Sequence, residues 1–356
     1  MIRQAALILL IATAACSRQQ PASTPPPTAR NLLFVTIDTL RADHVGIYGA
    51  TTVATPNLDR IAREGGLVRH ATVQVPLTRP SHISIFSGRY PAEHAIRDNV
   101  APPLGRQVPL MSEVLKASGF ATAGFVSSIV LARPSGLERG FDLFSDRFEI
   151  GEDDARFLNT IQRRGDETTK EATDWIRAHA GERFFAWIHL YDPHDPYEPP
   201  GRYAADYADR PYDGEVAWSD ELVGRLLAAL ADGGVADRTL VVVTSDHGEG
   251  LGDHGEAVHG YFIYETTLHV PLIVRGPGVK AGVTVDSVIR SVDLFPTVME
   301  MLGVTSRAPA TSGRSFARAL RGERLQRCDY RRALHVSAAA GLCRIRLAAA
   351  LQADGV

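Results

Sequence analysis

Short apolar runs rich in β-branched and aromatic residues alternate along this chain with amphipathic stretches, and that alternation restricts the fold more than any other feature. The strand-like runs cover residues 32–38, 122–127, 184–190, 239–245 and 271–275, and the helix-like stretches cover 55–64, 110–118, 167–179, 215–231 and 293–302. Thr55 is the expected cap of the first helix, with Pro56 at its first position. Near-continuous apolar strands separated by helices predict an α/β domain with a mostly parallel central sheet and helices on both faces. Ligands of such sheets sit beyond the carboxyl ends of the strands. Two runs end there in carboxylates: Asp38 closes LLFVTID, and Asp246 with His247 closes TLVVVTSDH.

Composition matters mainly for what it excludes. Lys and Arg (38) nearly balance Asp and Glu (41), and they are scattered rather than clustered, so no nucleic-acid footprint exists. Three Cys rule out a disulfide scaffold. Residues 1–16 combine Arg3, an apolar stretch and small residues before Cys16, which predicts an export signal resembling a bacterial lipobox, with Thr13 in place of the usual large aliphatic residue. Residues 17–30 are Pro-rich and read as a tether between a lipid-anchored Cys16 and the catalytic domain at 31–323. The expected location is therefore the periplasm or cell envelope. Residues 324–356 change character around Cys328 and Cys343, which either pair in an oxidising compartment or are incidental; this atypical tail is read as a truncation or frame shift.

A third element joins the two carboxylates. In VPLTRPSHISIFSG, Thr78 precedes Pro80 and Ser81 at the start of a helix, where free N–H groups and the helix dipole favour a tetrahedral oxyanion. Thr78 reads either as a helix cap or as a hydroxyl nucleophile.

Three blocks, VTIDTLRADHVGIYG (35–49), TRPSHISIFSG (78–88) and SDHGEGLGDHGEAVHGYFIYETTLHVPLIVRGPG (245–278), resemble the sulfatase family within the alkaline-phosphatase superfamily. Weaker echoes are HLYDPHDPYEPP (189–200) and SVDLFPTVMEMLGV (291–304). The resemblance implies that Asp38, Asp246 and His247 bind one divalent metal together with the nucleophile Thr78. It also implies that His194 and His259 contact the ester and its leaving oxygen. Zinc, manganese and calcium all suit oxygen and nitrogen ligands. His189, Asp192, Asp195, Asp253 and His254 are the remaining candidates for a second metal, but their spacing does not match the two-metal phosphodiesterases. Asp253 and His254 read as solvated loop residues, and Arg41 and Asp43 as packing and turn residues.

Four departures point away from sulfate monoesters. Thr78 cannot be converted to the formylglycine of sulfatases, His82 stands where their signature has Arg, and Thr39 stands where many members have a second metal-binding Asp. No Gly-Lys-Trp-His type segment is found. A Thr nucleophile is instead similar to the phosphoethanolamine and phosphoglycerol transferases, whose catalytic domains follow several transmembrane helices. The family usually continues into a C-terminal subdomain, which this chain is expected to have lost. The expected function is metal-dependent hydrolysis or transfer of small-molecule, lipid or glycan esters through a covalent Thr78 intermediate, phosphate esters being favoured. Sulfate hydrolysis with unmodified Thr78, and a non-catalytic lipoprotein keeping the fold as a binding module, are the alternatives.

Overall fold

The computed structural model describes residues 28–149 and 161–325. The signal and lipobox with Cys16, most of the tether, and the tail with Cys328 and Cys343 lie outside the described residues. Among the described residues, one sheet contains β1 Asn31–Ile37, β2 Gly66–Thr72, β3 Ala121–Phe125, β4 Leu143–Ser145, β5 Phe184–Leu190, β6 Thr239–Ser245, β7 His269–Val270, β8 Leu272–Arg275 and β9 Val283–Arg290.

β1 lies between β5 and β6 and runs parallel to both, with Thr36 opposite His189 on one side and Thr244 on the other. β3 and β4 extend the parallel half beyond β5. On the opposite side β8 is antiparallel to β6 and to β2, and β9 is parallel to β2.

Every residue of β1, β5 and β6 is buried, because helices cover both faces. Leu32 and Phe34 face one core, with Phe185 and Trp187, against α2 (Thr78–Ser87) and the helices Met111–Ala117 and Leu294–Met301. Leu33, Val35 and Ile37 face the other, against α1 (Pro56–Glu64) and the helices Gly165–Ala178 and Pro211–Asp232. Each such aliphatic or aromatic side chain contributes about 1.5–3 kcal/mol on burial. That burial on two faces is what makes the strand runs apolar without alternation.

Two sequence expectations change. Pro56 is the first residue of α1, but the Thr55 side chain does not cap it. Its hydroxyl accepts from Gly46 N–H (2.8 Å) and donates to Asp59 (3.1 Å). The free N–H groups of Asn57 and Leu58 are instead taken by the Asp220 carboxylate, reaching across from helix Pro211–Asp232 at 3.2 and 2.8 Å. A long-range carboxylate thus does the work of a local cap. β2, β4, β7 and β9 lie outside the strand-like runs of the sequence; β4 and β7 are only three and two residues long, and β2 and β9 are partly exposed and lack a continuous apolar run.

Candidate active site

Asp38 and Asp246 leave the neighbouring strands β1 and β6 at the same edge of the sheet. Two bonds lock those exits together: Leu40 N–H donates to Ser245 Oγ (3.0 Å), and Ser81 Oγ of α2 donates to the Asp246 carbonyl (2.6 Å). Thr78 is the first residue of α2, a ten-residue helix buried along its whole length. Arg79 fixes the helix start by donating to the carbonyls of Asn99, Ala101, Pro102 and Ser135. The turn after β6 also needs close backbone approach, because a Cβ on Gly248 would meet the Thr266 carbonyl at 2.0 Å.

These elements bring four of the expected residues together. His247 Nδ1–H donates to the Gly248 carbonyl (2.9 Å), which fixes the tautomer and leaves Nε2 bare. That nitrogen faces Thr78 Oγ1 at 3.3 Å, Asp38 Oδ1 at 3.5 Å and Asp246 Oδ2 at 3.5 Å. Neither oxygen of Asp38, nor Asp246 Oδ2, has a hydrogen-bond partner, although both residues are fully buried. Burial pushes the Asp38 carboxyl up to about 7 and Asp246 well above the carboxylate range, and it pushes His247 well below the ordinary imidazole value.

A bare imidazole nitrogen and orphaned carboxylate oxygens pointed at one another repel unless a proton or a cation lies among them. Metal–ligand distances of about 2.0–2.1 Å place neighbouring tetrahedral ligands about 3.3–3.4 Å apart. The 3.3–3.5 Å separations match that spacing and are longer than ordinary hydrogen bonds. The donors therefore fit a divalent metal, and among the described residues two groups of three occur: Asp38, Asp246 and His247; and His82, His189 and Asp246.

His82 occupies the signature Arg position without offering charge. Burial pushes its pKa well below the ordinary value. Its Nδ1–H donates to the Thr78 carbonyl (2.7 Å), and its Nε2 accepts from Thr36 Oγ1 (3.0 Å), which in turn accepts from Trp187 Nε1–H (3.0 Å). This neutral chain ties β5 and β1 to the first turn of α2 and holds the backbone of Thr78.

Two more imidazoles line the approach. The His259 ring lies 4.3 Å from His247 and 5.2 Å from His194, centroid to centroid. Burial alone would lower the His259 pKa, but Glu249, 3.1 Å from Nδ1, together with Asp38 and Asp246 raises it above the ordinary value. Burial lowers His194 to about 4, and its Nδ1–H donates to the Asp195 carbonyl (2.6 Å). Glu249 was not anticipated from sequence. It is fully buried, accepts from Tyr197 Oη–H (3.0 Å) and orients His259 from only two residues beyond His247.

The other candidates go elsewhere. Asp192 accepts from Gly165 N–H (3.2 Å), and His254 stacks on Tyr264 at 4.2 Å. Asp253 is not merely solvated, because Arg41 pairs with it at 2.9 Å and with Asp43 at 2.7 Å, clamping the loop after β1 onto the Gly-rich loop. Thr39, directly after Asp38, has φ +52° and a buried hydroxyl without a partner. Its carbonyl accepts from Tyr212 Oη–H (2.8 Å), which helps hold a backbone conformation unusual for a β-branched residue.

This mostly parallel sheet with helices on both faces is the fold of solved sulfatases and phosphonate monoester hydrolases. A family profile described as Sulfatase matches residues 30–304, and the chain belongs to that family, whose members are hydrolases acting on ester bonds. A Delta 4,5-hexuronate-2-O-sulfatase of Bacteroides thetaiotaomicron is 24% identical over 356 residues, covering 83% of this chain and 72% of the relative. The multifunctional alkaline phosphatase superfamily protein PehA of Trinickia caryophylli is 25% identical over 385 residues, covering 78% and 74%. A phosphonate monoester hydrolase of Agrobacterium radiobacter superposes with a TM-score of 0.71 at 20% identity, covering 83% and 78%, which is a likeness of fold. These relatives give no support to a non-catalytic binding module.

Proposed function

We propose that this sulfatase-family hydrolase cleaves monoanionic phosphorus esters, phosphate diesters or phosphonate monoesters, through Thr78. The reading rests on one observation: an unmodified Thr hydroxyl at the first turn of α2 lies 3.3 Å from a bare His247 nitrogen, beside two orphaned carboxylates. A divalent cation held by Asp38, Asp246, His247 and Thr78 would lower the proton affinity of the hydroxyl and neutralise ester charge. Thr78 Oγ1, its proton passed to solvent, forms the new bond to phosphorus as the bond to the leaving oxygen breaks. Protonated His259 gives its proton to that oxygen, and neutral His194 donates or accepts a hydrogen bond at the ester. Water then attacks the phosphorus of the Thr78 ester and gives a proton to His259 as the Thr78 oxygen leaves, and solvent returns the proton that Thr78 gave up.

Charge balance supports a monoanionic substrate. Arg41 is committed to Asp43 and Asp253, Arg79 to backbone carbonyls, and the signature Arg is the neutral His82. Side-by-side assays on matched aryl phosphate diester, phosphonate monoester, phosphate monoester and sulfate test the reading, with Thr78→Ala as blank. Diester or phosphonate turnover at least ten-fold above the others, and an acid-quenched adduct on the Thr78 peptide, are the expected results. Undiminished turnover by Thr78→Ala would sink it. A second reading, sulfate hydrolysis through unmodified Thr78, is favoured by the names of the relatives, and sulfate turnover lost in Thr78→Ala would establish it.

For location, we infer export and lipid anchoring at Cys16 from residues 1–16. Among the described residues no helix is long and apolar enough to cross a membrane. Release of the protein from membranes by Cys16→Ser is the expected result.

A further inference from the structure

Among the described residues six large apolar side chains are exposed, and four of them adjoin the start of α2. Tyr261, Phe262 and Ile263 follow Gly260, where a Cβ would meet Leu77 Cδ2 at 3.1 Å, and Leu77 is the residue before Thr78. Val100 lies between Asn99 and Ala101, whose carbonyls hold the guanidinium of Arg79, the residue after Thr78. The other two, Leu143 and Val288, sit on β4 and β9. The loop that carries the first three is firmly built. Glu256 is buried, and its Oε1 accepts from the N–H groups of Tyr261 (3.0 Å) and Phe262 (3.1 Å). At the other end the Tyr264 carbonyl accepts from the N–H groups of Thr267 (3.1 Å) and Leu268 (3.0 Å). This fixed backbone leaves Tyr261 82% exposed, Phe262 52% and Ile263 61%. Three consecutive apolar side chains held in water mark a surface that a ligand covers.

We propose that this patch receives the leaving group of the substrate, and that the leaving group is an apolar alcohol, alkyl or aryl. The inference rests on the reading that Thr78 attacks a phosphorus ester, and it deepens that reading by naming the departing half. Position carries it. His259, the imidazole that protonates the leaving oxygen, is separated from Tyr261 only by Gly260, and its ring lies 4.3 Å from that of His247. The alcohol bonded to that oxygen is therefore nearest to residues 260–263. Tyr264 extends the same surface, its ring 5.5 Å from that of Phe262. Around Val100 the polar groups are already committed, Asp98 Oδ1 to Val100 N–H (2.9 Å) and Asn99 Oδ1 to Arg79 N–H (2.9 Å). Such a surface is stabilised by covering methylenes and rings, and it offers a polar alcohol few partners.

The test is a series of methylphosphonate monoesters of methanol, ethanol, butanol and hexanol, in which only the apolar area of the alcohol grows. Dissociation constants are read by ligand-observed NMR titration of zinc-loaded Thr78→Ala, which holds the ester without cleaving it. Affinity should rise by about two-fold or more per added methylene, complete burial being worth about four-fold. Adding Tyr261→Ser, Phe262→Ser and Ile263→Ser together should remove most of that gain, and Val288→Ser in their place should keep it. A flat series in the parent, or an equal gain in the triple Ser variant, overturns the proposal. A flat series with a triple variant that also melts lower would assign the patch to packing within the chain. A second arm separates the sources of the alcohol. In the Cys16→Ser background, cosedimentation with phosphatidylglycerol vesicles that the triple variant loses places the alcohol in a bilayer, and binding of the soluble series alone places it in solution. Failure of the Thr78 reading looks different: Thr78→Ala would then cleave the series as fast as wild type, with the gain per methylene intact.

Discussion

Two regions of the molecule bury carboxylates completely and do opposite things with them. Asp293, ahead of helix Leu294–Met301, accepts from Arg290 N–H, Nε and Nη2 and from Arg314 N–H, at 2.6–3.0 Å. Asp38 and Asp246 are equally buried, yet three of their four oxygens have no partner at all. Burial therefore does not distinguish a structural carboxylate from a working one. What sets Asp38 and Asp246 apart is that their orphaned oxygens converge on one another and on the His247 nitrogen, unlike the isolated orphaned oxygens of Glu138, Asp166 and Glu256.

The largest expected contrast comes from removing the charges themselves. Asp246→Asn should lower kcat/KM at least 1000-fold while leaving the metal-free protein as stable as wild type or more so, since it replaces a buried carboxyl that is costly to ionise with a neutral amide. Asp293→Ala should instead cost about 3–5 kcal/mol in urea unfolding, because it removes the buried carboxylate that the Arg290 side chain, Arg290 N–H and Arg314 N–H share. Equal destabilisation by the two would break the comparison.

Cation removal sharpens it further. At a hundred times its dissociation constant, zinc should stabilise wild type by about 2.7 kcal/mol, and a chelator should reverse the gain. In Asp246→Asn neither addition should move the melting temperature much.

Asp220 tests an intermediate case, a carboxylate that burial raises to about 6 despite its bonds to Leu58 and Asn57. Between pH 4 and 6 the folded chain keeps a proton that the unfolded chain has released, so this group makes stability fall as pH rises through that window. Asp220→Asn removes the dependence and should compare better with wild type at pH 7 than at pH 4, by on the order of 2 kcal/mol. Parallel pH profiles of the two proteins would contradict the assignment. The smallest effect is expected at Thr36→Val, which breaks the Trp187–Thr36–His82 chain at about 1–2 kcal/mol with metal affinity unchanged.

Much of this was legible in the sequence, for reasons that also explain the rest. β1, β5 and β6 are buried on both faces, so NLLFVTI, FFAWIHL and TLVVVTS announce themselves, and residues that close such runs stand out. β9 alternates buried and exposed positions, a weaker signal than an unbroken apolar run, and β2 has two consecutive exposed residues in its middle. Helix Pro211–Asp232 begins a turn before the expected Glu215 because Pro211 serves as its first residue. α2 has no polar face, so only Pro80 and its surrounding motif marked it as a helix. His189 hid inside a strand that reads as core, and its lack of partners is a property of three dimensions. Glu249 hid for the converse reason, since nothing but the fold reveals that it holds His259.

The position of β1 between β5 and β6 also has a bearing on how the chain acquires its metal. Asp38 comes early in the chain, Asp246 more than 200 residues later, and the two meet only when β6 has docked along β1. Closing so long a loop is slow relative to local helix formation. The donor set is thus assembled late, and a cation has little to grip before the central strands pair. Zinc present during refolding should leave the rate of sheet formation unchanged and slow only unfolding, so that the metal acts as a latch on the finished sheet; faster folding in zinc would show that it templates the strands instead.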